Sequence, residues 1–93
     1  MRIWKFSLQS KSGLMIPGVL RLKIPSAYKF LKAAVQNGEP IMWLAVDPNS
    51  QEIEERFLLA WTGDDIDGAF AKDYLDTFET PDGLVWHLFN FRP

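Results

Sequence analysis

The stretch YKFLKAAVQNGEPIMWLAV, residues 28–46, decides the fold class of this 93-residue chain. Its first half, 28–36, is rich in Ala, Leu and Lys, which favour helix. However, Asn37-Gly38 follows at once and leads into a second apolar run. An Asn-Gly pair between two apolar runs is typical of a tight β-hairpin turn. We therefore predict two paired strands, 28–36 and 40–47, instead of a helix.

Alternation of apolar and polar residues continues along the rest of the chain and predicts further strands. It is clearest in 19–24, where Arg21 and Lys23 point outward between inward-facing apolar residues. Similar patterns predict strands at 2–8, 54–62, 74–80 and 84–91. On the core face we place Leu31, Ala33 and Val35, together with Leu20, Leu22, Ile24, Trp4, Phe6, Leu8, Phe57, Leu59 and Trp61.

The predicted fold class is mainly β, a small antiparallel β-sandwich or partly open barrel of six to seven strands. The turn-rich segment 9–18 is a loop, and 64–72 is a polar turn that holds at most one short helix. The length and the absence of a linker or repeat predict a single globular domain over residues 1–93.

Composition excludes several classes of protein. The chain has no Cys and one His, so no disulfide, thiolate nucleophile or Cys-based metal centre is available, and a reducing, cytoplasmic location is expected. No apolar run approaches a membrane span, and no signal-peptide pattern opens the chain, so we expect no membrane contact. The six glycines are scattered singly, with no phosphate-binding loop, and no cofactor is predicted.

Charge is distributed unevenly along the chain. Residues 1–46 hold seven Lys/Arg against one carboxylate, giving +6, whereas 47–93 hold three against eleven, giving −8. Such a split favours either pairing of charges between neighbouring strands or a basic face for an anionic partner. Nucleic acid is disfavoured as that partner, because the pI is 5.2 and no binding motif is present.

Few side chains could carry catalysis. His87 is the only imidazole and lies inside an aromatic strand, which is typical of a structural His. Asp64, Asp65 and Asp67 resemble a calcium loop in composition, but their register does not place ligands as an EF-hand does. We predict that the protein is not an enzyme and holds no metal.

Strands 40–47 and 84–91 carry bulky apolar side chains on both faces. In a domain too small for three layers, the second face is covered by the loops 9–18 and 64–72, by another copy in a homodimer or higher oligomer, or by a partner.

Several short motifs distributed over most of the chain resemble a family of short uncharacterised proteins found in phages and bacterial genomes. They are Ile3-Trp4-Lys5-Phe6, Ile24-Pro25, Val35-Gln36-Asn37-Gly38-Glu39-Pro40, Trp43, Val46-Asp47-Pro48, Arg56-Phe57, Thr62-Gly63, Thr77-Phe78 and Gly83-Leu84-Val85-Trp86-His87-Leu88-Phe89. Residues 9–20 depart from the family pattern. The resemblance implies a phage or prophage setting and brings no catalytic residues; it also supports a strand at 28–36.

The leading hypothesis is therefore a phage or mobile-element accessory protein that binds and inhibits a host defence or regulatory protein. An alternative is an oligomeric sponge for a small anionic ligand such as a cyclic nucleotide, in which cations hold phosphate and aromatic faces stack on the base. A third is a structural or virion accessory protein. The candidate binding residues are Arg21, Lys23, Lys29, Lys32, Trp43 and His87.

Overall fold

The computed structural model describes residues 1–9, 16–68 and 73–91. Its strands are β1 (Arg2–Ser7), β2 (Gly18–Pro25), β3 (Tyr28–Gln36), β4 (Glu39–Val46), β5 (Glu52–Trp61), β6 (Tyr74–Glu79) and β7 (Val85–Asn90). No described residue is α-helical. The predicted fold class is confirmed: seven strands form two antiparallel sheets, and the sheets do not close into a barrel.

The two sheets have different strand orders. A three-stranded sheet has the order β1-β4-β3, and a four-stranded sheet has the order β2-β5-β7-β6. Every pairing is antiparallel. Each sheet turns one face toward the common core, called here its inner face, and the opposite, outer face away from it.

The β3–β4 hairpin forms as its turn residues predict. Gln36 is opposite Glu39, so Asn37 and Gly38 make a two-residue loop. Their φ angles of 51° and 79° are both positive, as a type I′ turn requires. This turn overrides the helix propensity of residues 28–36. The prediction of a strand at 28–36 is confirmed.

The core lies between the inner faces. Met42, Leu44 and Val46 of β4 are fully buried against Phe57 of β5 and Leu88 of β7. Apolar side chains from six strands and from Leu8 complete this cluster or pack against it: Leu8, Ile24, Ala33, Leu59, Phe78, Trp86, Phe6, Leu20, Leu22, Tyr28, Phe30, Val35, Ile53 and Leu75. Of the predicted core residues, Trp61 is 37% exposed and Trp4 39% exposed, because both lie at the margin of this cluster.

On one side, the two sheets meet along β3 and β6, which we call the closed seam. The ladder of β3 shifts register at Leu31 and that of β6 shifts at Leu75, so each strand carries a bulge. Asp76 Oδ2 accepts the backbone N–H of Ala33 at 2.9 Å, which joins the two sheets. The prediction that Leu31 faces the core is wrong: as the extra residue of the bulge it is 44% exposed.

A polar bridge also crosses the core. Tyr28 of β3 donates its hydroxyl proton to Glu55 Oε2 at 2.8 Å, and Asn90 Nδ2 donates to the Tyr28 hydroxyl oxygen at 3.0 Å. Asn90 is only 4% exposed, so this bond satisfies an amide that burial would otherwise make costly. The bridge therefore ties the three-stranded sheet to β5 and β7.

The opposite, open side is bounded by the edge strands β1 and β2. On β1, residues Arg2 to Lys5 are all exposed, on both faces of the strand. On β2, exposed and partly buried positions alternate, and Arg21 and Lys23 are exposed as predicted. The open side thus leaves β1 much less covered than any other strand among the described residues.

The two long loops are described only in part. Of the helical turn predicted within 64–72, Gly68 has 3₁₀ conformation, 64–67 is not helical, and residues 69–72 lie outside the described residues. The loop predicted at 9–18 ends one residue earlier, because β2 begins at Gly18; its residues 10–15 also lie outside them.

Candidate functional site

The outer face of the three-stranded sheet combines lysines with a tryptophan. Lys5 of β1 and Lys32 of β3 are both directly opposite Trp43 of β4, one on each side. Directly opposite residues share a face, so the three form a continuous row across the sheet, called here the Lys–Trp–Lys row. Lys29 is opposite Ala45 on the same face, two β4 residues away from Trp43.

The bulge in β3 creates this arrangement. In a regular strand Lys29 and Lys32, three residues apart, point to opposite faces. The extra residue at Leu31 restores a common face for both lysines. Without the bulge, the outer face would hold only one of them.

The lysines of this face are not neutralised. All three are exposed, and none has an ion-pair partner within the described parts of the chain. Lys5 Nζ donates a hydrogen bond to Gln36 Oε1 at 3.3 Å. By register, two carboxylates share this face: Asp47, two residues beyond Ala45, whose Oδ1 accepts the Asn49 N–H at 3.0 Å, and Glu39, opposite Gln36 at the hairpin end. The face therefore carries an excess of positive charge beside a half-buried indole.

The structure divides the six predicted site residues between two faces. Lys29, Lys32 and Trp43 come together as described above. Arg21 and Lys23 lie at the β2 edge of the four-stranded sheet, on its outer face, where Arg21 Nε is 3.6 Å from Glu54 Oε1 and Lys23 is opposite Glu54. Sequence reasoning missed Lys5, whose signal is its polar position between Trp4 and Phe6, because nothing local shows that β1 pairs with β4.

His87 lies on β7, on the outer face of the four-stranded sheet. Its Nε2 is 2.7 Å from Thr62 Oγ1 and its Nδ1 is 3.0 Å from Thr77 Oγ1. The Thr77 hydroxyl is in turn 2.8 Å from the Tyr74 hydroxyl. A neutral imidazole donates through one nitrogen and accepts through the other, so both nitrogens are used in joining the end of β5 to β6 and β7.

A pocket of about 210 Å³ opens beside His87. It lies between the outer face of the four-stranded sheet and the turn after β5, and its lining includes Trp61, Ile66 and Phe89. Asp64 also lines it, but Asp64 Oδ2 already accepts the Trp61 backbone N–H at 2.8 Å. The polar groups at its rim are thus largely committed to bonds within the protein.

Within residues 1–9, 16–68 and 73–91, no three His, Cys, Asp or Glu side chains converge as metal ligands would. In the same ranges, no helix is long and apolar enough to cross a membrane.

Fold and surface together define a class: a seven-stranded antiparallel β-sandwich whose three-stranded sheet presents a basic, tryptophan-containing outer face. The chain belongs to a family described as Domain of unknown function (DUF7352), whose model matches residues 1–93. This agrees with the expectation of an uncharacterised family, whereas the phage and bacterial setting stays a prediction. A search of the curated proteins and a search of the solved structures each find no match.

Proposed function

We propose that this protein acts by binding, and that its partner is a host protein with an acidic surface, which docks on the outer face of the three-stranded sheet. The setting is a bacterial cell in which a phage or mobile element expresses the chain. Binding there inhibits a defence or regulatory protein of the host.

The Lys–Trp–Lys row is the observation that carries this proposal. Protein contact surfaces commonly have an aromatic anchor near their centre and a polar rim, and tryptophan is enriched among the residues that contribute most to affinity. Here Trp43 occupies the middle strand and the lysines surround it. Unpaired lysines attract an acidic partner and exclude a basic one.

The first test is a capture experiment with a matched pair of variants. Tagged wild-type protein is incubated with bacterial host lysate, and bound proteins are identified by mass spectrometry beside Lys32→Glu and Lys23→Glu. Both variants reverse the charge of one exposed strand lysine, but on opposite sheets. We expect a protein retained by wild type and Lys23→Glu, and bound about tenfold more weakly by Lys32→Glu because like charges then oppose each other.

A titration of the purified partner completes this test. Affinity falls as ionic strength rises, since exposed charges are screened by salt, and falls further in Trp43→Ala. Circular dichroism verifies that each variant is folded. A partner that binds Lys32→Glu and Trp43→Ala as tightly as wild type would show that contact is made elsewhere.

The same row supports a second candidate, the binding of a small nucleotide. An indole stacks on a base, and neighbouring lysines neutralise a phosphate. Arg21 and Lys23 lie on the other sheet, so a site using all four predicted cations requires two copies. A panel of cyclic nucleotides raises the melting temperature if this function holds, whereas an unchanged melting temperature across the panel rejects it.

A further inference from the structure

Strand β1 has the exposure of a strand that lacks a neighbour. Its first four residues are exposed on both faces, although a half-buried strand normally alternates. Ile3 is 68% exposed and Trp4 39% exposed, and Met1 before them is 77% exposed. Large apolar side chains at consecutive positions of an edge strand are what a further strand would cover.

The backbone of β1 has hydrogen-bonding groups directed to its open edge. Leu8 N–H donates to Pro40 O at 3.0 Å, continuing the register in which Ser7 is opposite Ile41. In an antiparallel ladder, hydrogen-bonded pairs alternate with non-bonded ones. The even residues of β1 therefore bond to β4, and Ile3, Lys5 and Ser7 direct their N–H and C=O groups away from it.

The edge strand β2 is better protected against pairing than β1. Outward-facing charges and proline discourage pairing at a sheet edge, and β2 carries Arg21, Lys23 and a terminal Pro25. β1 also carries two exposed charges, Arg2 and Lys5, but it has no proline or glycine, and it exposes Ile3 and Trp4 on opposite faces, whereas β2 exposes one large apolar side chain, Val19. The difference indicates that β1, and not β2, is a pairing edge.

We propose that β1 pairs antiparallel with β1 of a second copy about a two-fold axis, which joins two three-stranded sheets into one six-stranded sheet. An isologous contact of this kind needs only one self-complementary strand. The paired strand supplies acceptors and donors for Ile3 and Lys5, and it covers the apolar side chains. β-strand addition at an exposed edge is a common mode of association.

The face of each residue, its charge and the number of paired residues together select the register. In a continuous sheet, residues that share a face must be opposite each other, so even positions pair with even and odd with odd. Placing Lys5 opposite Lys5 of the second copy opposes like charges, which is unfavourable. Placing Trp4 opposite Trp4 avoids this, because Ile3 then lies opposite Lys5 and Arg2 opposite Phe6. Placing Ile3 opposite Ile3 also avoids it, but that register pairs only residues 1–5, whereas Trp4 opposite Trp4 pairs residues 1–7 and is the one proposed. This register also buries the two indoles against each other.

The dimer doubles the candidate site. Lys5 lies on the strand that pairs, so the Lys–Trp–Lys rows of the two copies become parts of one outer face. Neighbouring strands are about 4.8 Å apart, so three spacings across the sheet and an offset of two residues along the strands separate the two Trp43 positions by about 16 Å. Self-association is measured without any host protein. A result that rejects the dimer therefore leaves the proposed function standing, and the reverse also holds.

Sedimentation equilibrium with two variants at one position tests both the interface and the register. Ile3→Lys and Ile3→Glu alter a residue that is 68% exposed, so the fold is preserved in both. In the proposed register each places its charge opposite Lys5 of the second copy. Ile3→Lys raises the dimer dissociation constant about tenfold relative to Ile3→Glu, since the cross-strand pair occurs twice per dimer.

Amide hydrogen exchange provides the second measurement. The N–H groups of Ile3 and Lys5 become protected as wild-type concentration rises, whereas those of Trp4 and Phe6 are protected throughout. A monomer across about two orders of magnitude in concentration would overturn the proposal. So would equal dissociation constants for the two variants, or protection of Ile3 and Lys5 that does not depend on concentration.

Discussion

The closed seam and the open side of this sandwich differ in how the edge strands of the two sheets are covered. At the closed seam, β3 and β6 form no ladder, yet both strands are bulged and the Asp76 carboxylate accepts the backbone N–H of Ala33. On the open side, the odd residues of β1 direct their backbone groups away from β4, and Ile3 and Trp4 are exposed. Interactions that stabilise the fold are therefore concentrated at the closed seam, and the open side is available for association.

We expect the greatest loss of stability from substitution of an aromatic residue on the closed side. Two aromatic residues can be compared, because each side has one on the inner face of an edge strand. Phe78 of β6 is 8% exposed and belongs to the core cluster, whereas Trp4 of β1 is 39% exposed. Phe78→Ala lowers the free energy of unfolding by about 3 to 5 kcal/mol, because it leaves a cavity. Trp4→Ala lowers it by about half as much or less. Urea unfolding at low protein concentration measures both, and equal losses would remove the contrast between the two sides.

Asp76 tests whether a single hydrogen bond stabilises the closed seam. Asp76→Ala leaves the Ala33 N–H without its acceptor and lowers the free energy of unfolding by about 1 to 3 kcal/mol. Asp76→Asn keeps an acceptor oxygen and loses less. Glu79→Ala, an exposed change on the same strand, is the control and stays within about 0.5 kcal/mol. If Asp76→Ala behaves like the control, this carboxylate does not hold the seam.

The smallest effect concerns the turn that connects β6, one of the two strands of the closed seam, to β7. The Thr80 hydroxyl and the Leu84 N–H both donate to Asp82, and these bonds lower the pKa of its carboxyl below the usual 3.8. A lowered folded-state pKa gives stability that is present above the unfolded value and is lost as pH falls through the folded one. Because Asp82 is fully exposed, this contribution is small.

An NMR titration of the Asp82 carboxyl carbon tests this assignment. Thr80→Val removes the main donor and raises the Asp82 pKa toward its usual value. Thr80→Ser keeps the hydroxyl and leaves the pKa low. A pKa that is the same in both variants would assign the shift to the backbone donor instead.

Much of the fold can be predicted from local sequence, and single residues show where such prediction stops. Asn37 and Gly38 tolerate positive φ, which few residues do, so the hairpin is determined by its own turn. Alternation predicts the two faces of β2 for the same reason: side-chain direction in a strand is a local property. The bulge at Leu31 has no such signal, because it arises where β3 meets β6, far away in the sequence.

The candidate site was half predictable. Trp43 and Lys32 belong to one hairpin, so their juxtaposition follows from the turn. Lys5 joins them only because β1 pairs with β4, and Arg21 leaves them because β2 joins the other sheet. Which sheet a strand enters depends on how the core packs, and charge counts along the chain do not contain that information.

The pairing of β1 with β4 also has a consequence for the order of folding. The β3–β4 hairpin is local and closes through a short turn, whereas Arg2 must find Val46 and Gly18 must find Leu59. Loop closure over such separations is entropically costly and slow, so the hairpin forms first. β1 then pairs with the β4 strand of the formed hairpin. During synthesis β1 therefore remains unpaired until the hairpin has emerged, although β1 is made before the hairpin.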